Sequence, residues 1–292
     1  MPQSARAQAQ LFAVTPAGPV ALPLPEAQAQ ADLHKLMLRL PAGVYSALRT
    51  FHHERFLWLD EHIARTVRSM RGLGWDYELD EAALRRALHR AVRDWPSTDS
   101  RVRFDLLERP APELGTTSRV ILGLGSFEPV PEKYLREGVQ VEIAAGLERH
   151  EPRIKTTEFI LRRQPYPLAQ QERYEHLLLD HDQKILEGSS SNFFGVEHGG
   201  LRTSGPGVLE GITRKVLVHI ARETGIALDE RAIPLSHVGR LDEAFLSSST
   251  RGVVPIVGVA GTPIGDGRPG ALTKRLMRAY DEFALKESRP AV

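Results

Sequence analysis

Short apolar runs of strand length and longer runs of helical period alternate along this chain without a strict strand–helix–strand rhythm. That irregularity constrains the fold more than any other feature, because a doubly wound parallel sheet needs a crossover helix after nearly every strand. Residues 44–50 read as a strand, 52–55 as a polar turn and 56–59 as a short second strand, which together make a hairpin. Asp60 then opens a helix as its N-cap, with Ile63, Val67 and Met70 on one face. Asp80 opens another, with Leu84, Leu88 and Val92 spaced by four, and Trp95-Pro96 ends it. Residues 102–107 and 119–123 are further strands. The pattern predicts an α/β (α+β) protein with mixed sheets.

Residues 125–133 hold two prolines and little periodicity, which places a linker there and divides the chain into domains 1–128 and 129–292. Residues 1–31 are rich in Ala, Gln and Pro and are expected to be loosely ordered in part, apart from a short strand at 11–14. After the linker the expected order is strand 139–144, then a helical region 156–174 interrupted near Pro165-Tyr166-Pro167. Strand 176–180, a turn at 181–183 and a return strand ending near Leu186 follow, then a hairpin over 192–203. A helix runs from Gly211 to Glu223 with Gly225 as its C-cap. Strands 242–248 and 253–259 and an amphipathic helix 271–286 close the chain.

Charge and composition exclude several functions. The formal net charge is +1 and the arginines are scattered, so no nucleic-acid partner is expected. No window approaches the ~18 apolar residues of a membrane span, and residues 1–10 do not read as a signal peptide. There is no cysteine, which removes disulfides, thiolate metal sites and a cysteine nucleophile and fits a cytoplasmic protein. The 11 histidines form no HExxH arrangement, so no metal is expected.

Lysine is scarce, 7 residues against 31 arginines, so each can be weighed. Lys155 stands where a strand-like run gives way to Thr156-Thr157, a place from which a side chain can enter a cleft. A Schiff-base lysine must be partly desolvated so that its amine is often neutral. On position alone, a solvated surface lysine is the ordinary reading. In the run EGSSSNFFGV, Glu187 precedes a polar turn and a buried strand; a carboxylate so placed can fix a buried base such as a pyridine nitrogen, or the run is an ordinary turn. Gly211-Ile212-Thr213 opens a helix whose free N–H groups suit an anion, or simply caps it. Ser247 to Thr250 enter a tight turn that can form an anion nest or a plain polar turn. Arg65, on the helix after the first hairpin, suits phosphate, although a lone arginine is usually a surface one.

Taken together, EGSSSNFF, LEGITRKVL and EAFLSSSTRGVVPIVGV, in that order and supported upstream by GVYSALRTF and FLWLDEHIARTV, resemble the class IV aminotransferases, the fold-type IV pyridoxal-phosphate enzymes. The group includes branched-chain and D-amino-acid aminotransferases and aminodeoxychorismate lyase. The resemblance runs from about Gly43 to Phe283. It implies a small N-terminal α/β domain, a larger C-terminal mixed α/β domain, pyridoxal 5′-phosphate as cofactor and a homodimer. It also implies roles. Lys155 resembles the lysine of the internal aldimine and Glu187 the acid at the pyridine nitrogen. Arg65, Ile212, Thr213, Ser248 and Ser249 resemble a phosphate cup, with Gly211 as a further cofactor-binding residue. Leu209 matches a residue packed on the ring, Asn192 one near the cofactor's far edge, and Tyr45 one near the substrate.

Two departures stand out. Ser46 replaces a common glutamate, and RLPAG replaces the usual acidic and aromatic residues before Gly43. Arg101, Arg103 and Asp105 share one face of a strand by alternation. That face either receives a carboxylate-bearing substrate, with Arg103 as a substrate-binding residue, or is the solvent side of the sheet. The activity implied is transfer of an amino group from a branched-chain or D-amino acid to a 2-keto acid. An aminodeoxychorismate lyase-like enzyme and a non-catalytic binding protein of the same fold are the alternatives.

Overall fold

The computed structural model describes residues 9–24, 31–169, 173–205 and 207–292. They form two compact units: Met1–Glu128 with Ile154–Leu161 and Ala284–Val292, and Pro129–Arg153 with Arg162–Phe283.

The first unit is built on a seven-stranded antiparallel sheet. Strand β1 (Ala9–Thr15) contains the short strand expected at 11–14, and it pairs in a hairpin with β2 (Gly18–Ala21), where the sequence predicts looser structure. The reason is local. Ala9, Leu11 and Ala13 alternate onto one face and join Leu33, Leu36 and Met37 of helix α1 (Leu33–Met37) in a buried cluster. Residues 1–8 and 25–30 of that predicted loose segment lie outside the described residues.

Strand β3 (Gly43–Phe51) and the two-residue β4 (Arg55–Phe56) make the predicted hairpin, but β4 is shorter than expected. Helix α2 (Leu59–Gly72) therefore starts early, with Trp58 in the left-handed region at φ 48° as its cap. Asp60 is not the cap. It lies in the first turn, where its charge favours the helix N-terminus, and pairs with Arg85. Asp80 does cap α3 (Glu81–Arg93), accepting the Ala83 N–H at 2.8 Å. Strands β5 (Ser100–Leu107) and β6 (Val120–Ser126) continue the sheet. Helices α2 and α3 cover one face, where Ile63, Met70, Leu84, Leu88 and Val92 meet Leu48, Phe104 and Leu122.

The second unit contains α4 (Glu132–Glu137) and β7 (Val139–Ile143). Helix α5 (Thr157–Arg162) lies mostly in the first unit and is far shorter than the predicted 156–174 region. The chain leaves helix before the two prolines, and strand β8 starts at Arg173; residues 170–172 lie outside the described residues. Strands β8 (Arg173–Leu179), β9 (Lys184–Gly188), β10 (Asn192–Glu197) and β11 (Gly200–Thr203) precede helix α6 (Ile212–Glu223). Short strands β12 (Leu228–Asp229) and β13 (Ile233–Pro234) lead to β14 (Glu243–Ser248), β15 (Gly252–Val259), β16 (Thr262–Pro263) and helix α7 (Ala271–Glu287). The sheet is mixed: β7 runs parallel to both β8 and β15, while β14–β15, β10–β14 and β8–β9 are antiparallel. A pairing of Glu187 with Asn192 joins β9 to β10 and closes six strands into a ring.

Leu88 is fully buried in the first unit's core. Leu88→Ala is expected to cost about 2–5 kcal/mol through lost burial and a residual cavity. Chemical unfolding of the two proteins measures it, and a loss below about 0.5 kcal/mol, typical of an exposed position, contradicts this packing.

Candidate active site

In the first unit the segment carrying Lys155 is stitched to the start of β3. The Tyr45 N–H donates to the Lys155 carbonyl at 3.0 Å, and Val44 bridges Thr156. The Gly43 N–H donates to Thr157 Oγ1 at 2.9 Å, and the Lys155 N–H donates to Ser69 Oγ at 3.3 Å. These contacts fix the backbone while the Lys155 side chain stays half-buried. Its Nζ lies 4.9 Å from the centre of the Tyr45 ring.

Neighbouring residues of β3 point to opposite faces. Ser46 faces α2: its Oγ accepts from Arg65 Nη2 at 2.8 Å and from Thr66 Oγ1 at 3.0 Å. Ser46 thus orients Arg65, which is buried. His62 is buried beside them. Burial, followed by the charges of Arg65 and Lys155, holds its imidazole well below the ordinary value of 6.5.

On the other face Tyr45 stands opposite Asp105 in the ladder, and Arg103 opposite Ala47. Arg103 and Asp105 are buried, which rules out the solvent-side reading for both; Arg101 alone is exposed. Arg103 does not present a free fork. Its Nε donates to Asp105 Oδ2 at 2.9 Å and its Nη2 to Oδ1 at 2.5 Å. The guanidinium lies 3.9 Å over the Tyr45 ring. Burial raises the Asp105 carboxyl, opposed by the charge and hydrogen bonds of Arg103.

In the second unit Glu187 is buried on β9. Arg149 Nε donates to its Oε1 at 2.8 Å, and the Leu209 N–H to its Oε2 at 3.2 Å. Asn192 Nδ2 lies 3.4 Å from the same Oε2 and 2.9 Å from the Leu209 carbonyl. A carboxylate has about four lone-pair directions, so one remains for a further donor. Gly211, the N-cap of α6, must lack a side chain: a Cβ there would collide with Asn192 Oδ1.

Ile212 and Thr213 begin α6, whose first turn holds no acidic residue and whose cap supplies no side-chain hydrogen bond. Thr213 Oγ1 lies 3.5 Å from Ser249 Oγ, so the helix start and the turn after β14 meet. Ser247 Oγ is buried without a partner among the described residues. The turn is braced by a pair the sequence reading missed. Arg251 Nη1 lies 2.8 Å from Oε2 of the fully buried Glu175, while its Nε donates to Ser248 Oγ at 3.1 Å. Glu175 Oε1 also accepts from the Ser190 N–H at 2.6 Å and from Ser191 Oγ. Burial works against the charge on Glu175, but Arg251 and the Ser190 N–H prevail and hold its carboxyl below the usual range. Arg149 and His62 were missed as well: Arg149 lies outside the quoted motifs, and His62, within FLWLDEHIARTV, shows its burial only in the fold.

Thus Tyr45, Arg65, Arg103 and Lys155 gather in the first unit, and Glu187, Asn192, Leu209, Gly211, Ile212, Thr213, Ser248 and Ser249 in the second. Among the described residues no group of three or more His, Cys, Asp or Glu could hold a metal ion, and no helix is long and apolar enough to cross a membrane.

The fold is that of known transferases. A T.th. branched-chain amino acid aminotransferase, solved with pyridoxamine 5′-phosphate, superposes with a TM-score of 0.78 at 18% identity, covering 98% of this chain and 99% of that one. The enzyme of Thermoproteus uzoniensis, solved with norvaline, gives 0.74 at 23% identity, covering 97% and 99%. Residues 43–259 match the family described as Amino-transferase class IV. The chain belongs to the class IV aminotransferases, enzymes that transfer amino groups. It is 28% identical over 257 residues to the D-alanine aminotransferase of Bacillus licheniformis, spanning 86% of this chain and 90% of that protein. It is 29% identical over 253 residues to a Thermotoga maritima protein named "Probable branched-chain-amino-acid aminotransferase", spanning 84% and 88%.

A pH dependence follows from His62. Below pH 6.5 the unfolded chain takes up a proton at this position that the folded protein refuses, so stability falls as pH drops through that value. The expected result is that wild type loses thermal stability between about pH 7.5 and about pH 5.5 more steeply than His62→Gln. Equal slopes contradict the buried neutral imidazole.

Proposed function

We propose that this aminotransferase uses pyridoxal 5′-phosphate, with Lys155 as its reactive amine, and moves the amino group of a branched-chain or D-amino acid to a 2-keto acid. The observation that carries the reading is the held, half-buried Lys155 beside Tyr45. Desolvation favours the neutral form of an amine, the form that attacks an aldehyde and takes up a proton.

The residues of the second unit fit the cofactor's chemistry. Glu187 keeps one acceptor direction open for a ring N–H, beside Asn192 and Leu209. The start of α6 at Gly211, Ile212 and Thr213, with Ser248 and Ser249, supplies amides and hydroxyls suited to a phosphate. Arg65, fixed by Ser46, is a further phosphate ligand. When bound, the cofactor supplies an aldehyde carbon and an electron-accepting ring. Lys155 Nζ would serve as the general base that takes the proton from the substrate's α-carbon and carries it to its new position once the cofactor is bound. Glu187 holds a proton at the ring nitrogen throughout. Tyr45 covers the lysine, and with Arg103 it lines the substrate's place.

The donor classes are those in the relatives' names, D-alanine and branched-chain amino acids. Those names favour transamination over the lyase-like and non-catalytic alternatives. A homodimer working in the cytoplasm completes the proposal.

Lys155→Ala is expected to lower multiple turnover by at least about 10²–10⁴-fold. Borohydride treatment of wild type with pyridoxal 5′-phosphate should leave the cofactor's mass on the Lys155 peptide and leave none on the variant. Near-normal turnover by the variant, or labelling of another lysine, defeats the assignment. A donor panel covering both enantiomers with one common keto acid decides the substrate class.

A further inference from the structure

We propose that Arg251 is a positioning residue for the cofactor's phosphate: by donating to Ser248 Oγ it leaves that hydroxyl's own proton for the phosphate monoester. The inference rests on the pyridoxal-phosphate reading above.

Every group it needs lies in the second unit. Arg251 stands in the turn after β14, and its guanidinium reaches three partners. Nη1 forms an ion pair with Oε2 of Glu175 at 2.8 Å, Nη2 donates to Ser190 Oγ at 2.8 Å, and Nε donates to Ser248 Oγ at 3.1 Å. Ser190 Oγ gives its own proton to Glu175 Oε1 at 3.0 Å, which closes a ring of arginine, serine and carboxylate. Glu175 is fully buried, yet Arg251 and the Ser190 N–H keep it ionised. Gly188 is bare beside it, because a Cβ there would collide with Glu175 Oε1 and Ser191 Oγ. Arg251 is thus pinned by two partners. Its planar, rigid fork then fixes the direction of the third N–H, the one aimed at Ser248.

That direction decides what Ser248 does. A hydroxyl has one proton to give and two lone pairs to receive with. Nε occupies one lone pair, and a guanidinium has no acceptor, so the hydroxyl proton turns away from Arg251. Among the described residues no hydrogen bond uses that proton. A phosphate monoester offers strong acceptor oxygens, and a hydroxyl whose oxygen is held by a cation is the better donor to them. The neighbouring groups, Thr213 and Ser249, meet at the start of α6 and supply the rest of the cup. The charge of Arg251 itself is already met by Glu175. Its effect therefore reaches the phosphate through the Ser248 hydroxyl and not as a free cation.

The test titrates the full chain, freed of cofactor, with pyridoxal 5′-phosphate and with pyridoxal, which lacks the phosphate. The absorbance of the lysine adduct is read. Wild type is compared with Ser248→Ala, Arg251→Met, the variant carrying both, and Arg251→Met/Glu175→Gln. Ser248→Ala and Arg251→Met are each expected to raise Kd for pyridoxal 5′-phosphate by about tenfold or more, the worth of one hydrogen bond to a charged group. Together they should exceed the larger single effect by no more than about twofold, because both remove the same bond. Kd for pyridoxal should stay within about twofold of wild type throughout, a selectivity that general loosening of the fold would not produce. Arg251→Met strands the buried Glu175 charge. If it does not fold, Arg251→Met/Glu175→Gln, which removes both charges, carries the test and should show the same phosphate-selective loss. The proposal is overturned by folded Arg251 variants that keep the wild-type Kd for pyridoxal 5′-phosphate or by equal weakening of both aldehydes. It is also overturned by losses at Ser248 and Arg251 that multiply, which would make Arg251 an independent ligand. Failure of the underlying reading looks different: a wild type that forms no adduct with either aldehyde removes both.

Discussion

The pairing of Glu187 with Asn192 across β9 and β10 is the contact on which the second unit's arrangement turns. It closes the ring of strands, and the same two side chains grip both the N–H and the carbonyl of Leu209. Leu209 leads directly to Gly211 and the start of α6, so one register fixes a carboxylate, an amide and a helix N-terminus together. A shift of one residue would turn Glu187 to the opposite face and undo all three. The bareness of Gly211 is a condition of the same contact, since Asn192 occupies the space of its absent side chain.

A chain so rich in arginine carries many of its buried acids as ion pairs. Arg149 meets Glu187, Arg251 meets Glu175, and Arg103 meets Asp105. Such pairs contribute little net stability, because desolvation opposes attraction, but removing one partner is costly. Two of the three join segments far apart in the sequence, whereas Arg103 and Asp105 stand two residues apart on β5. The Glu175–Arg251 pair links the serine turn after Glu187 to the serine turn after β14. Their value lies in geometry more than in cohesion.

Much of this was legible in the sequence where local chemistry decides the outcome. The Asp80 cap, the start of α6 at Gly211 and the hairpin of β10 with β11 follow from residue type and spacing. Lys155 stood out through the scarcity of lysine, and its role came from resemblance rather than from periodicity. What stayed hidden depends on distant partners. Glu175 falls between the predicted helical region 156–174 and the predicted strand 176–180, and Arg251 between strands 242–248 and 253–259, until folding joins them. The N-terminal hairpin was obscured by the Ala- and Gln-rich composition around it, and no local pattern announces the burial of Ala9 and Ala13 against α1. Asp60 looked like a cap because the left-handed turn at Trp58 leaves no mark in composition.

The strapping of residues 154–161 onto β3 bears on how the first unit comes together. Gly43 and Thr157 are 114 positions apart, and the Arg55 side chain reaches the Ser288 carbonyl over a separation of 233. The sheet of the first unit is therefore complete only once segments far apart in the sequence have met. Until Arg289 and Pro290 pair with β4, that strand offers an unpaired outer side to other partners.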